Sequence, residues 1–368
     1  MPGHLSTENL ENLLQSRSIS DLEVEQIRRF FIEEEGIAAF APDGFCHIDP
    51  RNGDRIVYNS ARARRPHDNR PIDQEERPIT PQRDCLICQG RTTHVLDIAP
   101  LSEGFTFINK NLYPIFYPME EGGRFVENTQ ENTKNSQCTQ VHGYHFLQWT
   151  SSYHDRDWHN MPCEDRVIVL QRLAALEKKM LTNGDSHVSI IKNYGHLVGG
   201  SLAHGHQQIG VSNIIPNRIR QDKKFKEEKD ETFSSYMLRE NPPELLIRDY
   251  GPAVLLTPYF MRRPYDMTLI LKDTSKSTLH SLNEDELIAV GDGWRDGIRI
   301  MLSIMPRIGK EAAYNITTHN GPGAGLYFEF LPYTQEMGGF EHLGLYLCQG
   351  NPPECAQRSR EILDEFKA

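Results

Sequence analysis

The sequence predicts an α+β protein made of two similar halves. Short segments in which apolar and polar residues alternate indicate half-buried strands, and two longer segments, "EDRVIVLQRLAALEKKMLTNG" and "EDELIAVGDGWRDGIRIMLSIM", have the apolar periodicity of helices. The order strands, helix, strands occurs over residues 105–213 and again over residues 253–332, with little identity between the two. A repeated order of elements indicates an internal duplication.

The N-terminal region combines predicted helix, strand and loop. Residues 7–36 have the periodicity of one or two amphipathic helices. "DRIVYNS" alternates like a strand, and a basic segment bounded by prolines follows it. Residues 66–83 are polar and rich in proline, which predicts a loop.

The first half contains predicted strands on both sides of one helix. "FTFINKNLYP" and "YHFLQWTS" come before the helix, which starts with acidic residues and stops at a glycine. "HVSIIKNYG" is the next strand and breaks at Gly195. The small-residue loop "HLVGGSLA" then leads into the strand "HGHQQIGVSN".

The second half repeats this order after a highly charged segment. Residues 217–243 are predicted to be a linker or a solvated helix. "AVLLTPYFMRRPYDMTLILKD" predicts two strands around a turn, and a helix and the strands "AAYNITTHNG" and "GLYFEFLP" follow. A terminal helix with proline near its start completes the chain. The predicted units are a helical extension, the first half, a linker and the second half, at residues 1–40, 41–216, 217–245 and 246–368.

Composition restricts the class of protein. The 368 residues are 38% hydrophobic and 25% charged, as in a globular protein. A net charge of −11 without a long basic run argues against binding to nucleic acid or to a membrane surface. No apolar run is long enough to span a membrane, and the polar N-terminus is unlike a signal peptide. The seven scattered cysteines favour a reducing compartment, so we expect a cytoplasmic protein.

The segment "AHGHQQ" predicts a functional site. On a strand, His204, His206 and Gln208 would point to one face because they are two residues apart. Histidine can bind a metal, act as a base or act as a nucleophile, and a glutamine amide can donate to a phosphate oxygen. The preceding "GGS" allows backbone N–H groups to approach a phosphate. An edge strand facing solvent is the alternative, but three aligned polar residues behind such a loop favour function.

The segment "DCLICQG" contains the second candidate site. Cys85 and Cys88 have the spacing of two zinc ligands, which two further ligands would have to complete. No second CxxC occurs, so the other ligands would be histidines or acids from elsewhere in the chain. A redox pair or two unrelated buried thiols are the alternatives.

Six segments over about residues 47–366 resemble, in order, the motifs of the galactose-1-phosphate uridylyltransferases. This family is a branch of the histidine-triad superfamily that also includes nucleotide-sugar phosphorylases. The segments are "DPRNGDRIVYNSARARRP", "DCLICQG", "FINKNLYP", "YHFLQWTSSYH", "NYGHLVGGSLAHGHQQ" and "GGFE". The resemblance implies duplicated histidine-triad-like domains, each an antiparallel sheet with flanking helices. The first half would carry zinc and the nucleophile.

The resemblance also implies the chemistry of the site. His206 would attack the α-phosphorus of a nucleoside diphosphate sugar, with its tautomer set by a backbone carbonyl, and Gln208 would hold the phosphoryl oxygens. The implied Zn²⁺ ligands are Cys85, Cys88, His154 and His204. The implied substrate contacts are Arg62, Arg65, Asn111, Asn193, Gly199, Gly200, Ser201, Gln335, Phe340 and Glu341. A phosphorylated acceptor and a homodimer, in which the segment around "GGFE" reaches the partner's site, are implied as well.

Departures from the family pattern keep a second function open. The family typically reads His-Pro-His-x-Gln, whereas this chain has Gly205 between the histidines, and Leu112 replaces a charged residue that several members have. We therefore expect transfer to a sugar 1-phosphate, as in galactose metabolism, with a phosphorylase of ADP-sugars or dinucleoside polyphosphates as the alternative. A nucleotide-binding protein without turnover is a third reading. Tyr327 and Glu329 occupy places where some relatives have metal-binding histidines, so no second metal is expected.

Overall fold

The computed structural model describes residues 5–61, 85–119, 138–182, 187–321 and 323–367. Arg62, Arg65 and the loop predicted at residues 66–83 lie outside this part of the chain. The strands described are β1 Phe45–Ile48, β2 Arg55–Val57, β3 Val95–Pro100, β4 Phe105–Lys110, β5 Cys138–Gln140, β6 Gly143–Trp149, β7 His187–Tyr194, β8 His206–Ser212, β9 Leu246–Asp249, β10 Ala253–Leu256, β11 Met267–Leu271, β12 Tyr314–His319 and β13 Tyr327–Pro332. The α-helices described are α1 Thr7–Leu10, α2 Val24–Ile32, α3 Glu35–Ala38, α4 Cys163–Leu181, α5 Asn217–Lys229, α6 Phe233–Glu240, α7 Glu284–Arg307, α8 Gly339–His342 and α9 Pro352–Glu365.

Ten strands form one antiparallel sheet that runs through both halves. Its order is β3-β4-β6-β8-β7-β12-β13-β11-β10-β9. Counted from its outer edge inward, each half contributes its first, second, third, fifth and fourth strands in that order. The long helices α4 and α7 each lie in the chain between the third and the fourth strand of their half. The predicted duplication and α+β class are confirmed by this topology. The second sheet is small and has the order β2-β1-β5.

The halves meet along β7 and β12. These strands pair antiparallel over four residue pairs, from Tyr194 opposite Tyr314 to Ile191 opposite Thr317. The rings of Tyr194 and Tyr314 stack with their centroids 5.0 Å apart. The side-chain amide of Asn315 donates to Asn193 Oδ1 at 2.8 Å, so the seam is also closed by a polar contact.

The two long helices bury their apolar faces against each other and the sheet. Trp294 of α7 lies 4.8 Å from the ring of Trp158 and 5.7 Å from that of Phe328. Gly293 brings the helix backbone close to the sheet, because a Cβ there would lie 2.5 Å from Leu269 Cδ1. The interior is therefore continuous from the first half to the second. None of the described helices has the length and apolar character needed to cross a membrane.

The N-terminal extension forms shorter helices than the periodicity predicts. In place of one or two amphipathic helices over residues 7–36 there are α1, α2 and α3, and only α2 exceeds four residues. Phe31 of α2 packs edge-on against Tyr144 and Phe146 of β6. The buried Lys110 ammonium donates to the Phe30 carbonyl at 2.6 Å and pairs with Glu34 at 2.7 Å. Tertiary contacts, and not helix length, thus hold the extension on the first half.

Residues 217–243 form packed helices between the halves. Helices α5 and α6 occupy most of the segment. Asp222 of α5 is buried and accepts hydrogen bonds from His319 and from the Tyr327 hydroxyl. The alternative of a solvated helix therefore applies only to the outer face of α5, which carries the exposed lysines and glutamates that suggested it.

Candidate active site

Strand β8 carries His206 and Gln208, two of the three polar residues that the sequence pattern places on one face. It is paired on both sides, with β6 and with β7, so its backbone is fixed. His204 lies before the strand, which begins at His206. His206 is 5% exposed, and its Nδ1 lies 2.8 Å from the His204 carbonyl oxygen. A carbonyl only accepts, so Nδ1 carries the proton and the lone pair of the neutral ring is on Nε2.

His204 belongs instead to a cluster with Cys85, Cys88 and His154. Their ligand atoms all lie within 4.8 Å of one another. Cys88 Sγ is 3.6 Å from Nδ1 of both His154 and His204, and Cys85 Sγ is 3.7 Å from His204 Nδ1. In a tetrahedral zinc site, a sulfur ligand and a nitrogen ligand lie about 3.6 Å apart. The four residues named from the resemblance therefore have the donor types and the spacing of a closed metal site.

The surroundings of the cluster keep His204 neutral and oriented. Its Nε2 donates to the Ser151 carbonyl at 2.7 Å, which leaves Nδ1 as the ligand atom. Burial lowers the pKa of His204 to about 4. Burial and the neighbouring Cys85 raise the pKa of Cys88 to about 12. The Cys88 thiol thus stays protonated unless a cation compensates its charge, as metal binding does.

A buried ion pair lies beneath the turn that joins the metal cluster to His206. Asp157 Oδ2 is 2.7 Å from Lys192 Nζ, and both side chains are buried. Lys192 also donates to the His206 carbonyl at 3.1 Å. Burial would raise the pKa of Asp157, but the Lys192 charge and hydrogen bonds from Lys192 and the Trp158 N–H outweigh it and lower that pKa. This pair, which the sequence analysis missed, fixes the backbone of His206.

The Asp157 carboxylate also explains the glycine between the histidines. A Cβ at Gly205 would lie 2.7 Å from Asp157 Cγ and 3.0 Å from its Oδ1. The carboxylate cannot give way easily, because Thr150, Lys192 and the Trp158 N–H all hold it. The space that another residue's side chain would need at this position is filled by Asp157.

We expect Gly205→Ala to destabilise the protein. Forcing an extra methyl against Asp157 should cost about 1–3 kcal/mol of unfolding free energy, because overpacking a dense site is unfavourable. Chemical denaturation of the variant would measure the loss. Gly339→Ala, compared under dilute conditions in which the chain is monomeric, is the matched control, since a Cβ there meets nothing within 4 Å in one chain. Equal stability of the two variants would show that the turn at Gly205 relaxes freely.

The glycine-rich loop before the histidines lies beside the seam between the halves. Gly199 has φ +85°, a left-handed conformation that favours glycine. The Gly200 N–H donates to the Gly195 carbonyl at 2.9 Å, and a Cβ at Gly200 would lie 2.8 Å from Gly195 N. Gly199 faces the amide of Asn193, with a Cβ there 3.7 Å from Asn193 Nδ2. The structure therefore brings Asn193 together with Gly199 and Gly200, and partly exposed Ser201 follows them.

Asn111 is connected to strand β8 through a residue that the sequence analysis missed. Its side chain lies 3.3 Å from both ring nitrogens of His145. Nε2 of His145 is 3.1 Å from Gln208 Oε1. His145 sits on β6 as one histidine in an alternating strand, a pattern that gives no functional signal.

The C-terminal candidates lie in one segment, in which Gln335 and Glu341 are buried. Gln335 donates to the Leu347 carbonyl at 2.6 Å and accepts from the Gln349 N–H at 3.1 Å. Glu341 accepts from the Gly338 N–H at 2.8 Å and closes the turn of α8. Gln335 and Glu341 thus shape the segment, whereas the Phe340 side chain is 57% exposed.

The second half has a cluster of charged side chains at β12 and β13. Strand β13 is the counterpart of β8 in the sheet. His319 lies 2.7 Å from Asp222 through Nδ1 and 2.9 Å from Glu329 through Nε2. Burial would lower the pKa of His319, but these two carboxylates outweigh it and raise the pKa to about 9. The pKa of Glu329 falls to about 2, because the bond and the charge of His319 outweigh burial. A protonated His319 between two carboxylates, with Arg218 Nη1 3.6 Å from Glu329, balances the charges of this cluster.

Comparisons with known proteins agree with this fold. The chain has the fold of the uridylyltransferases: a solved uridylyltransferase superposes with a TM-score of 0.65 at 16% identity and covers 88% of this chain and 100% of its own. An ADP-glucose phosphorylase from Arabidopsis thaliana, solved with bound ADP-glucose, gives a TM-score of 0.61 at 19% identity over 86% of this chain and 97% of its own.

Sequence comparison gives one more specific relative. A curated ADP-glucose phosphorylase from Arabidopsis thaliana is 23% identical over 337 residues, which are 85% of this chain and 92% of the relative. No family model matches the chain. The resemblance to the uridylyltransferase family and its phosphorylase branch is confirmed by these relatives.

Proposed function

We propose that this protein transfers a nucleoside monophosphate from a nucleoside diphosphate sugar through a covalent bond to His206. The observation that carries the proposal is the hydrogen bond between His206 Nδ1 and the His204 carbonyl. It places a lone pair on Nε2, so the neutral imidazole can attack phosphorus without losing a proton first.

The proposed reaction has two displacements at one phosphorus. In the first, Nε2 of His206 forms a bond to the α-phosphorus, and the bond from that phosphorus to the bridging oxygen breaks. The sugar 1-phosphate leaves with the electron pair. In the second, an acceptor phosphate oxygen attacks the same phosphorus, the P–N bond breaks, and the neutral histidine is restored. Such a sequence has ping-pong kinetics.

The remaining candidate residues surround these steps. The amide of Gln208 would donate to the phosphoryl oxygens, and the backbone at Gly199 and Gly200 with Ser201 would hold the adjacent phosphate. Asn111 and Asn193 would contact the nucleotide. Arg62 and Arg65 remain predicted phosphate ligands, for which the planar guanidinium suits paired oxygens. Gln335, Phe340 and Glu341 remain predicted substrate contacts.

Inorganic phosphate is the acceptor that the sequence relative favours. The relative is named an ADP-glucose phosphorylase, and this chain covers 92% of it. On this proposal the enzyme releases a nucleoside diphosphate when phosphate attacks the intermediate. Transfer to a sugar 1-phosphate, which the sequence analysis placed first, is the second candidate, and the fold match to a uridylyltransferase is compatible with it.

Mass spectrometry of the intact protein tests the donor and the acceptor in turn. Brief incubation with UDP-glucose, ADP-glucose or diadenosine tetraphosphate should add one nucleoside monophosphate, and the added mass names the base. Phosphate or galactose 1-phosphate is then supplied to the isolated adduct. Clearance by phosphate with release of a nucleoside diphosphate supports the phosphorylase, and clearance only by the sugar phosphate supports the transferase. The absence of an adduct with every donor would contradict the covalent mechanism.

We also propose that the Cys85, Cys88, His154 and His204 cluster binds Zn²⁺ in a structural role. Two thiolates and two imidazoles are a donor set typical of zinc, and four protein ligands leave no open position for substrate. When bound, the ion would neutralise the two thiolates. Its contribution to function would be indirect, because His204 is two residues before His206 and supplies the carbonyl that orients it.

A homodimer is proposed from the apolar segment at residues 337–347. Its Leu343 side chain is 84% exposed, and several neighbours are more than one-third exposed. These neighbours are Met337, Phe340, Leu345, Tyr346 and Leu347. Large apolar side chains exposed together in one segment are typical of an interface. A second copy of the chain is the proposed occupant, as the family resemblance implies.

We expect Leu343→Asp with Leu345→Asp to dissociate this dimer. Two charges in an apolar interface should weaken association by at least about 10-fold, because they must be desolvated on binding. Analytical ultracentrifugation over a concentration series would measure the change. Ile308→Asp, at another exposed apolar position, is the control that should leave association unchanged. A wild-type protein that sediments as one chain throughout would contradict the proposal.

A further inference from the structure

His145 connects the proposed nucleotide-binding segment to strand β8. The side chain is 1% exposed and lies on β6, next to β8 in the sheet. One side of its ring faces the segment at residues 111–115, which follows β4. The other side contacts Gln208, two residues beyond His206.

The hydrogen bond from the Ile115 N–H fixes the tautomer of the His145 ring. The Tyr113 N–H donates to Asn111 Oδ1 at 2.9 Å, so the end of Asn111 that approaches the ring is the NH₂ group. The Ile115 N–H donates to His145 Nδ1 at 3.1 Å. A backbone N–H cannot accept, so Nδ1 must carry the lone pair. The ring proton is therefore on Nε2.

The proton on Nε2 determines the orientation of Gln208. It is donated across 3.1 Å to the Gln208 carbonyl oxygen, Oε1. With Oε1 committed to His145, the amide NH₂ is the donor that Gln208 offers to a ligand. On β8, residues 206 and 208 share a face, so this donor lies on the side of the nucleophile.

We infer that His145 is a positioning residue, which aims the Gln208 amide at the transferred phosphoryl group and links this orientation to the segment at residues 111–115. The inference rests on the proposed function. Without His145, the Gln208 amide can reverse and turn its carbonyl oxygen toward a phosphoryl oxygen. Two acceptors then face each other where the transition state needs a donor.

A double-mutant cycle separates this role from a structural one. We expect His145→Phe, which keeps an aromatic ring and removes the hydrogen bonds of the ring nitrogens, to slow nucleotidylation of His206 in single-turnover experiments about 10–100-fold. In a Gln208→Ala background the same change should cost less than about 3-fold, because the residue through which His145 acts is gone. His145→Gln, whose amide can still donate, should recover part of the rate. His142→Phe, at another position near β6, is the control.

Equal rate losses in the two backgrounds would overturn the inference and assign His145 a packing role. An independent measurement uses the wild-type protein without substrate. In ¹⁵N-labelled protein, the ring nitrogens of His145 should show an unprotonated Nδ1 and a protonated Nε2 in long-range ¹H–¹⁵N spectra. The opposite tautomer would also overturn the inference. If the wild-type enzyme forms no adduct with any donor, the proposed function fails, and the tautomer still decides how Gln208 is oriented.

Discussion

Replacing His206 with asparagine should abolish the covalent nucleotidyl-enzyme. Asparagine keeps a polar side chain but has no lone pair that can attack phosphorus, since its amide nitrogen is not nucleophilic. We expect the rate of sugar nucleotide turnover to fall on the order of 10⁴-fold or more, as when other covalent nucleophiles are removed. Intact-mass spectrometry after incubation with the donor, together with steady-state assay of the product, would measure both effects.

The control for this prediction is His142→Asn. It removes a histidine near the start of β6. This position lies at the opposite end of the pairing between β6 and β8 from His206. This variant should form the adduct at the wild-type rate. Adduct formation by the His206 variant would mean that another residue is the nucleophile, and peptide mapping of the adduct would then identify it.

Loss of the metal cluster should have the second-largest effect. Replacing Cys88 with alanine removes the sulfur that lies 3.6 Å from both histidines of the cluster. We expect bound zinc to fall from about one ion per chain to near zero and the melting temperature to fall on the order of 10 °C, because binding energy at a structural site is folding energy. Metal analysis by plasma mass spectrometry and calorimetry would measure these changes.

Cys163→Ala is the matched cysteine variant. Cys163 begins helix α4 and is no part of the cluster, so zinc content should be unchanged and the melting temperature should move little. Activity should fall in the Cys88 variant, because the carbonyl that orients His206 belongs to the metal ligand His204. Full activity without zinc would show that the hydrogen bonds from Lys192 and His206 suffice to hold the turn.

The parts of the site that the sequence could predict are those with local spacing. The His-x-His-x-Gln pattern and the CxxC pair depend on neighbours two or three residues away. Their chemistry therefore appears in the sequence itself. His154 could be named only through the family resemblance, and the structure places it with Cys88 in the cluster.

The parts that could not be predicted depend on contacts between distant segments. Asp157 and Lys192 are 35 positions apart in the chain, and their pairing under Gly205 requires the folded sheet. His145 contacts Gln208 across 63 positions, through the pairing of β6 with β8. The short N-terminal helices have the same cause, since Phe31 and Glu34 bind to β4 and β6 and not to a longer helix of their own.

The seam between β7 and β12 determines what a separated half would do. Each half on its own would end in an open strand, with unpaired N–H and C=O groups along residues 191–194 or 314–317. An open strand of this kind recruits another strand, so a cleaved half is expected to associate with a further copy or to aggregate. The connection through α5 and α6 acts as a tether, because it raises the effective concentration of one edge at the other. The two halves of one chain thus cover each other's open strand edge, and this pairing protects the protein from misassembly.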